Sequence, residues 1–215
     1  MKKYLLIASL SFLGFGVNAQ QKKTSPLSAS LMEELQGKAE QRIKNFCLLL
    51  SDLSSSKISD KRKESLENDL LKLFLDEATM QVKTVNDKET ISGTAPIKDY
   101  LDGVRRYKDK YDFVLLEYEM IVVDLSKMKD TTIKVKPAKQ GKFSFVQRMK
   151  VQNWGDAAKD GKQPTPGKEI VDVSDKYGKL YIIYDKEPFK LGSPYKILLG
   201  DIKVAEVKIT KKSMP

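Results

Sequence analysis

The chain has 215 residues, with 39 Lys and Arg against 29 Asp and Glu, no His and one Cys, for a net charge of +10. With 40% of residues apolar and Pro and Gly modest, collagen-like, disulfide-rich and disordered classes are excluded. The absence of His removes every Ser-His-Asp or Cys-His nucleophile, every His-ligated metal site and every imidazole proton shuttle.

Met1-Lys2-Lys3 is a short basic start, residues 4–15 form an apolar run, and Val17-Asn18-Ala19 is a small-residue site before Gln20. These are the three parts of a cleavable export signal. The apolar run falls short of the roughly 20 residues that span a bilayer. The sequence therefore predicts a signal peptide over 1–19, a flexible polar leader over 20–29 and a single domain over 30–211. The mature chain is expected to have no membrane span, in the periplasm or outside the cell. Of the 39 basic residues only Arg42, Arg62, Arg105, Arg106 and Arg148 are Arg, and the Lys residues are interleaved with acids, as in residues 57–64. That pattern describes a solvated surface rather than a nucleic-acid face.

From Ser30 onward Leu31, Leu35, Ala39, Ile43, Phe46, Cys47, Leu50 and Leu53 recur at helical steps, with Ser30 and Glu33 at capping-box spacing. Cys47 falls on the apolar stripe and reads as a buried small hydrophobe. A second helix begins at Ser59 or Asp60, carries Leu66, Leu70, Leu73 and Phe74, and stops near Asp76. The period then drops to two over 80–85, with a turn at Asn86-Asp87-Lys88 and a short return strand at 90–92. Pro96 opens a third helix with Ile97, Tyr100, Leu101 and Val104 on one face.

Strands follow. Residues 111–125 place Val114, Leu116, Tyr118, Met120 and Val122 on the face expected to meet the helices. A short strand is expected around Ile133 to Lys136. Next, Phe143, Phe145, Gln147, Met149 and Val151 point inward. Further strands are expected at 169–174, 179–185 and 195–209, the last with its alternation broken near Ala205 by a β-bulge. Residues 153–168 form the longest stretch without periodicity, and loops of that length tend to be functional or disordered.

This order of elements, with the runs Leu70-Leu71-Lys72-Leu73-Phe74-Leu75-Asp76-Glu77-Ala78 and Pro96-Ile97-Lys98-Asp99-Tyr100-Leu101, resembles the cystatin-like α+β cone of the nuclear transport factor two-like superfamily over 31–209. With the export signal it is similar to the secreted members of Bacteroidetes-type bacteria. The resemblance implies three N-terminal helices packed on a strongly curved antiparallel sheet with a small elaboration, and a pocket between them. Members resembling ketosteroid isomerase pair a carboxylate with a Tyr on the first helix, which has no Tyr here. Members resembling scytalone dehydratase use His with Asp, and His is absent. No family residue therefore carries over by position, and fold alone assigns no activity.

The candidate ligand-binding residues are Tyr118, Gln147 and Tyr184, each expected inward on a different strand, and Trp154, which could stack on a sugar ring. No catalytic set, metal site or cofactor is expected; Asp156, Asp160 and Gly161 lack EF-hand spacing. The leading expectation is an exported, non-enzymatic domain that binds a small or glycan-type ligand or a partner protein in or near the pocket. One alternative is a His-independent acid–base lyase or isomerase using Asp112, Glu117 or Glu119 with a Tyr. The other is a module that homodimerises through the outer sheet face.

Overall fold

The computed structural model describes residues 28–85, 90–154, 167–184 and 194–214. The expected export signal, nearly all of the expected leader, the expected turn at Asn86-Asp87-Lys88 and the Asp156 and Asp160 pair lie outside the described residues.

Helix α1 runs Ala29–Ser54. Its N-cap is Ser28 rather than Ser30: the Ser28 hydroxyl accepts from the Leu31 N–H at 3.2 Å, satisfying one of the free amides of the first turn. The expected stripe from Leu35 to Leu53 is buried. Phe46 is fully buried, meeting Phe74 edge-on at 5.3 Å and Phe145 at 6.1 Å. That one ring ties α1 both to the segment after the second helix and to the sheet. Cys47 is buried as expected, and burial pushes its thiol up to about 12.

Helix α2 is Asp60–Leu71 and ends before Asp76. The backbone after it leaves the helical path to pair with the last strand. Leu75 N–H donates to Leu199 O, and Leu199 N–H donates to Leu73 O, both at 2.8 Å. A helix continued to Asp76 would forfeit those bonds. Lys63 on α2 is fully buried and points its Nζ at Arg105 O, 3.5 Å away. This sets a cation at the negative end of helix α3, Ile97–Arg105. Pro96 is the N-cap of α3 rather than its first helical residue, and a short 3-10 helix, Arg106–Asp109, follows.

The six strands are β1 (Thr79–Val85), β2 (Thr90–Pro96), β3 (Phe113–Ile133), β4 (Lys136–Asn153), β5 (Lys168–Tyr184) and β6 (Tyr195–Ser213). They form one sheet in the order β2-β1-β6-β5-β4-β3. The fold is α+β, three helices with a mostly antiparallel sheet, without the strong curvature expected from the sequence. Nor is the sheet wholly antiparallel, because β1 runs parallel to β6 through Met80 and Ile202. Side chains supplement that single bridge. The Asp201 carboxylate accepts from Thr79 N–H at 3.1 Å and Thr79 Oγ1 at 2.9 Å, and Val204 N–H donates to Gln81 Oε1 at 3.0 Å.

Strand β3 is longer than expected because the residues read as a separate strand at 133–136 are the tip of a hairpin. Lys134 and Val135 turn the chain with φ of 45° and 62°. The inward alternation of β3 also fails partway. The pairing with β4 shifts by one residue between Glu119 and Val122, with Met120 in the left-handed region at φ 52°. Met120 and Val122 are therefore exposed, while Val123 and Leu125 are buried in their place. The bulge expected near Ala205 is present: Asp175 pairs with Glu206 and Lys176 with Val204, leaving Ala205 as the extra residue.

Candidate functional site

Strands β4, β5 and β6 bring polar side chains together on the face that α3 overlies. Three registered rows cross it. Met149 stands beside Asp172 and Ile209, Gln147 beside Ser174 and Val207, and Phe145 beside Lys176 and Val204. Asp172, Ser174 and Lys176 share that face because side chains alternate along a strand. Tyr118 extends the middle row, as the cross-strand partner of Gln147.

Between these rows and the α3 segment lies a cavity of about 250 Å³, lined from above by Tyr100, Tyr107 and Tyr111. Its floor is polar at Gln147, Asp172, Ser174 and Lys176, and apolar toward Val207 and Ile209. Lys176 is 6% exposed, and its ammonium sits 5.9 Å from the centre of the Tyr100 ring. Among the described residues no hydrogen bond or ion pair closes on this amine. Burial pulls Lys176 down to about 8, and the Asp172 charge opposes part of that fall. Burial likewise raises the Asp172 carboxyl, with Lys176 acting against it. Burial pushes up three of the phenols here, Tyr107 to about 12 and Tyr100 and Tyr118 well above the ordinary value. Tyr100, Tyr107 and Tyr118 are therefore neutral hydroxyls at physiological pH.

Three buried polar atoms at or beside the cavity have no hydrogen-bond partner among the described residues: Asp172 Oδ1, Gln147 Oε1 and Tyr118 Oη. Buried polar atoms in folded proteins are normally paired, so each such atom needs an explanation. Chemically the arrangement offers a carboxylate, an amine near its point of deprotonation and neutral phenols, which is proton-transfer capacity without His.

The sequence-predicted residues separate into two groups. Tyr118 and Gln147 are brought together, with Gln147 on the cavity wall. Tyr184 shares the face of the buried Leu180 and Ile182, but it is 48% exposed, packs its ring against Tyr195 at 5.6 Å and does not line the cavity. Its neighbour Ile183 is buried on the opposite side of the strand with Ala138 and Leu198, so residues 180–183 are covered on both faces and alternation there does not single out a cavity face. Trp154 is 66% exposed just past the end of β4, outside the cavity, and its backbone N–H donates to Asp112 Oδ2 at 2.7 Å. Asp112 is thereby a structural tie and not a base aimed at the cavity. Glu117 and Glu119 are exposed, as alternation places them.

Asp172, Lys176 and Tyr100 were not legible as site residues. Val171 and Val173 alternate with Ile170, Asp172 and Ser174, so apolarity points the wrong way along this strand. The available signal was the register: once Phe145, Gln147 and Met149 face inward, their antiparallel partners Lys176, Ser174 and Asp172 must do so too.

No protein-family model matches the chain, and neither does any curated protein. Among solved structures it is similar to a protein of Novosphingobium aromaticivorans provisionally named a scytalone dehydratase. The identity is 8% with a TM-score of 0.41, over 83% of this chain and 88% of that one. It is also similar to the Kfla4162 protein of Kribbella flavida, at 17% identity and TM-score 0.41, over 82% of this chain and 95% of that one. A third similar structure, from Catenulispora acidiphila, has 11% identity and TM-score 0.35, over 82% and 94%.

Proposed function

We propose that this protein binds a small organic molecule in the cavity between the α3 segment and the β4–β5–β6 face. The observation that carries the reading is the pair of buried, unpartnered acceptors, Gln147 Oε1 and Asp172 Oδ1, on the wall of a cavity that also holds the buried Lys176. Two acceptors call for a ligand with hydroxyl or amine donors, and Lys176 calls for an acceptor at its other end. The tyrosine rings with Val207 and Ile209 favour a flat, partly apolar body between those ends. At about 250 Å³ the space is just below the roughly 300–1,000 Å³ usual for ligand pockets, so the molecule is small.

The test is thermal denaturation with 4-hydroxybenzyl alcohol, which has two donors on a flat ring. A saturable rise in Tm that Gln147→Leu abolishes supports the reading, and a wild-type protein whose Tm does not move argues against it.

A second reading, acid–base turnover, is favoured by Asp172. Its carboxyl is raised by burial and faces the same cavity as a lysine near its point of deprotonation. This moves the alternative of a lyase or isomerase from Asp112, Glu117 and Glu119 to Asp172, with Tyr100 as the neighbouring phenol.

A further inference from the structure

The cavity holds a primary amine of an unusual kind. Lysine normally keeps its ammonium in water, with the stem along the surface. Here the side chain is 6% exposed, its amine lies under the Tyr100 ring at 5.9 Å, and it lines a space large enough for a second molecule. The groups facing it are Asp172 on its own strand, Tyr100 on α3, Tyr107 on the 3-10 helix and Tyr111 just after it. Lys83 and Lys211 lie further along the cavity rim. Asp172 is the one carboxylate in that set.

We infer that Lys176 is a nucleophile that condenses with the carbonyl group of a small hydroxylated aldehyde or ketone bound in this cavity. The inference rests on the pocket reading above and names its ligand class. In the step itself, the Nζ lone pair adds to the carbonyl carbon as the C=O π pair moves to oxygen. A proton passes from nitrogen to that oxygen, giving a carbinolamine. Protonation of the hydroxyl by the Asp172 carboxyl then releases water, and the nitrogen lone pair forms the C=N bond of an iminium. Asp172 recovers its proton from solvent. No oxidant or reductant is needed. Burial supports the assignment chemically: with the amine at about 8, about a tenth is unprotonated at pH 7, against well under a thousandth for a lysine at its ordinary 10.5.

The experiment treats the full chain at pH 7 with 4-hydroxybenzaldehyde and cyanoborohydride, which reduces the iminium to a stable secondary amine. The modified lysines are then mapped by peptide mass spectrometry. Lys176 is expected to label at least about tenfold faster than the exposed Lys44, Lys142 and Lys203, following its larger neutral fraction. Lys176→Arg, which keeps the charge and removes the primary amine, is expected to lose the fast phase; if that variant does not fold, the wild-type map decides alone. Labelling of Lys176 no faster than that of the exposed lysines overturns the inference. If that result accompanies a saturable Tm rise with 4-hydroxybenzyl alcohol, which has no carbonyl, the nucleophile is refuted and the pocket stands. If the alcohol is also without effect, both fall.

Discussion

Asp172 and Lys176 face the same cavity from one strand, two pleats apart, with Ser174 between them and Gln147 across from Ser174. At roughly 3.3 Å per residue their backbones stand about 13 Å apart, so the long lysine side chain must lean along the strand for the two charges to sense each other. They do so without closing an ion pair, and each shifts the other against the larger effect of burial. The cost of burying both charges is thus only partly offset within the protein.

That cost has a pH signature. The folded Lys176 titrates at about 8 and the unfolded one at about 10.5, so between these values the unfolded chain binds more protons and stability rises with pH. Below pH 8 the folded state bears the full penalty of the buried ammonium, about 3 kcal/mol from a shift of this size. Lys176→Met is therefore expected to be more stable than wild type at pH 7, by up to about 3 kcal/mol, with the gap closing toward pH 10.5. Urea unfolding of both proteins across that range checks it; a gap independent of pH would contradict the assignment.

Removing the partner moves the lysine further. The Asp172 charge holds Lys176 up, so in Asp172→Asn the lysine is expected to titrate below about 8. Heteronuclear NMR of lysine-labelled protein measures this directly, and an upward movement would show that the two groups do not face each other.

Cys47, buried on α1 with its thiol pushed to about 12, is expected to resist iodoacetamide at pH 8 in the native protein and to react in urea. Mass spectrometry before and after denaturation reads the difference.

The β3–β4 hairpin places Val135 at φ 62° while leaving its side chain 94% exposed. A β-branched residue in the left-handed region is strained, and little burial is at stake. Val135→Gly is expected to stabilise the fold by about 1 kcal/mol, measured as a higher urea midpoint at unchanged slope.

Gly178 has the opposite sensitivity. A Cβ there would lie 2.6 Å from Phe143 Cζ and 2.9 Å from Asp201 O. Because the second contact is backbone, Gly178→Ala is expected to cost about 1–3 kcal/mol, seen as a lowered Tm.

The helices and the inward face of β4 were legible because each has one wet and one dry side, from which the period can be read. Legibility failed where that contrast was missing. Met120 and Val122 are apolar, yet a one-residue shift turned them outward, and no local residue announces it. At Leu180 to Ile183 both faces of β5 are covered, and Tyr184 lies just past that buried run. The site was hidden for a related reason, since a cavity wall requires polar residues on an inward face, and alternation assigns such residues to solvent. Only cross-strand register, carried from Gln147 to Ser174, reveals them.

The parallel contact of β1 with β6 joins segments more than a hundred residues apart, Met80 with Ile202, and Leu73 and Leu75 pair with Leu199. During synthesis the β1–β2 hairpin leaves the ribosome long before the strand that will flank it exists. Until the C-terminal segment is made, that hairpin edge has no sheet to join, and α2 has no Leu199 to anchor its exit. Docking of the last strand is then the event that fastens β1 and the exit of α2, and truncation that removes Leu199 and Ile202 would unseat residues made more than a hundred positions earlier.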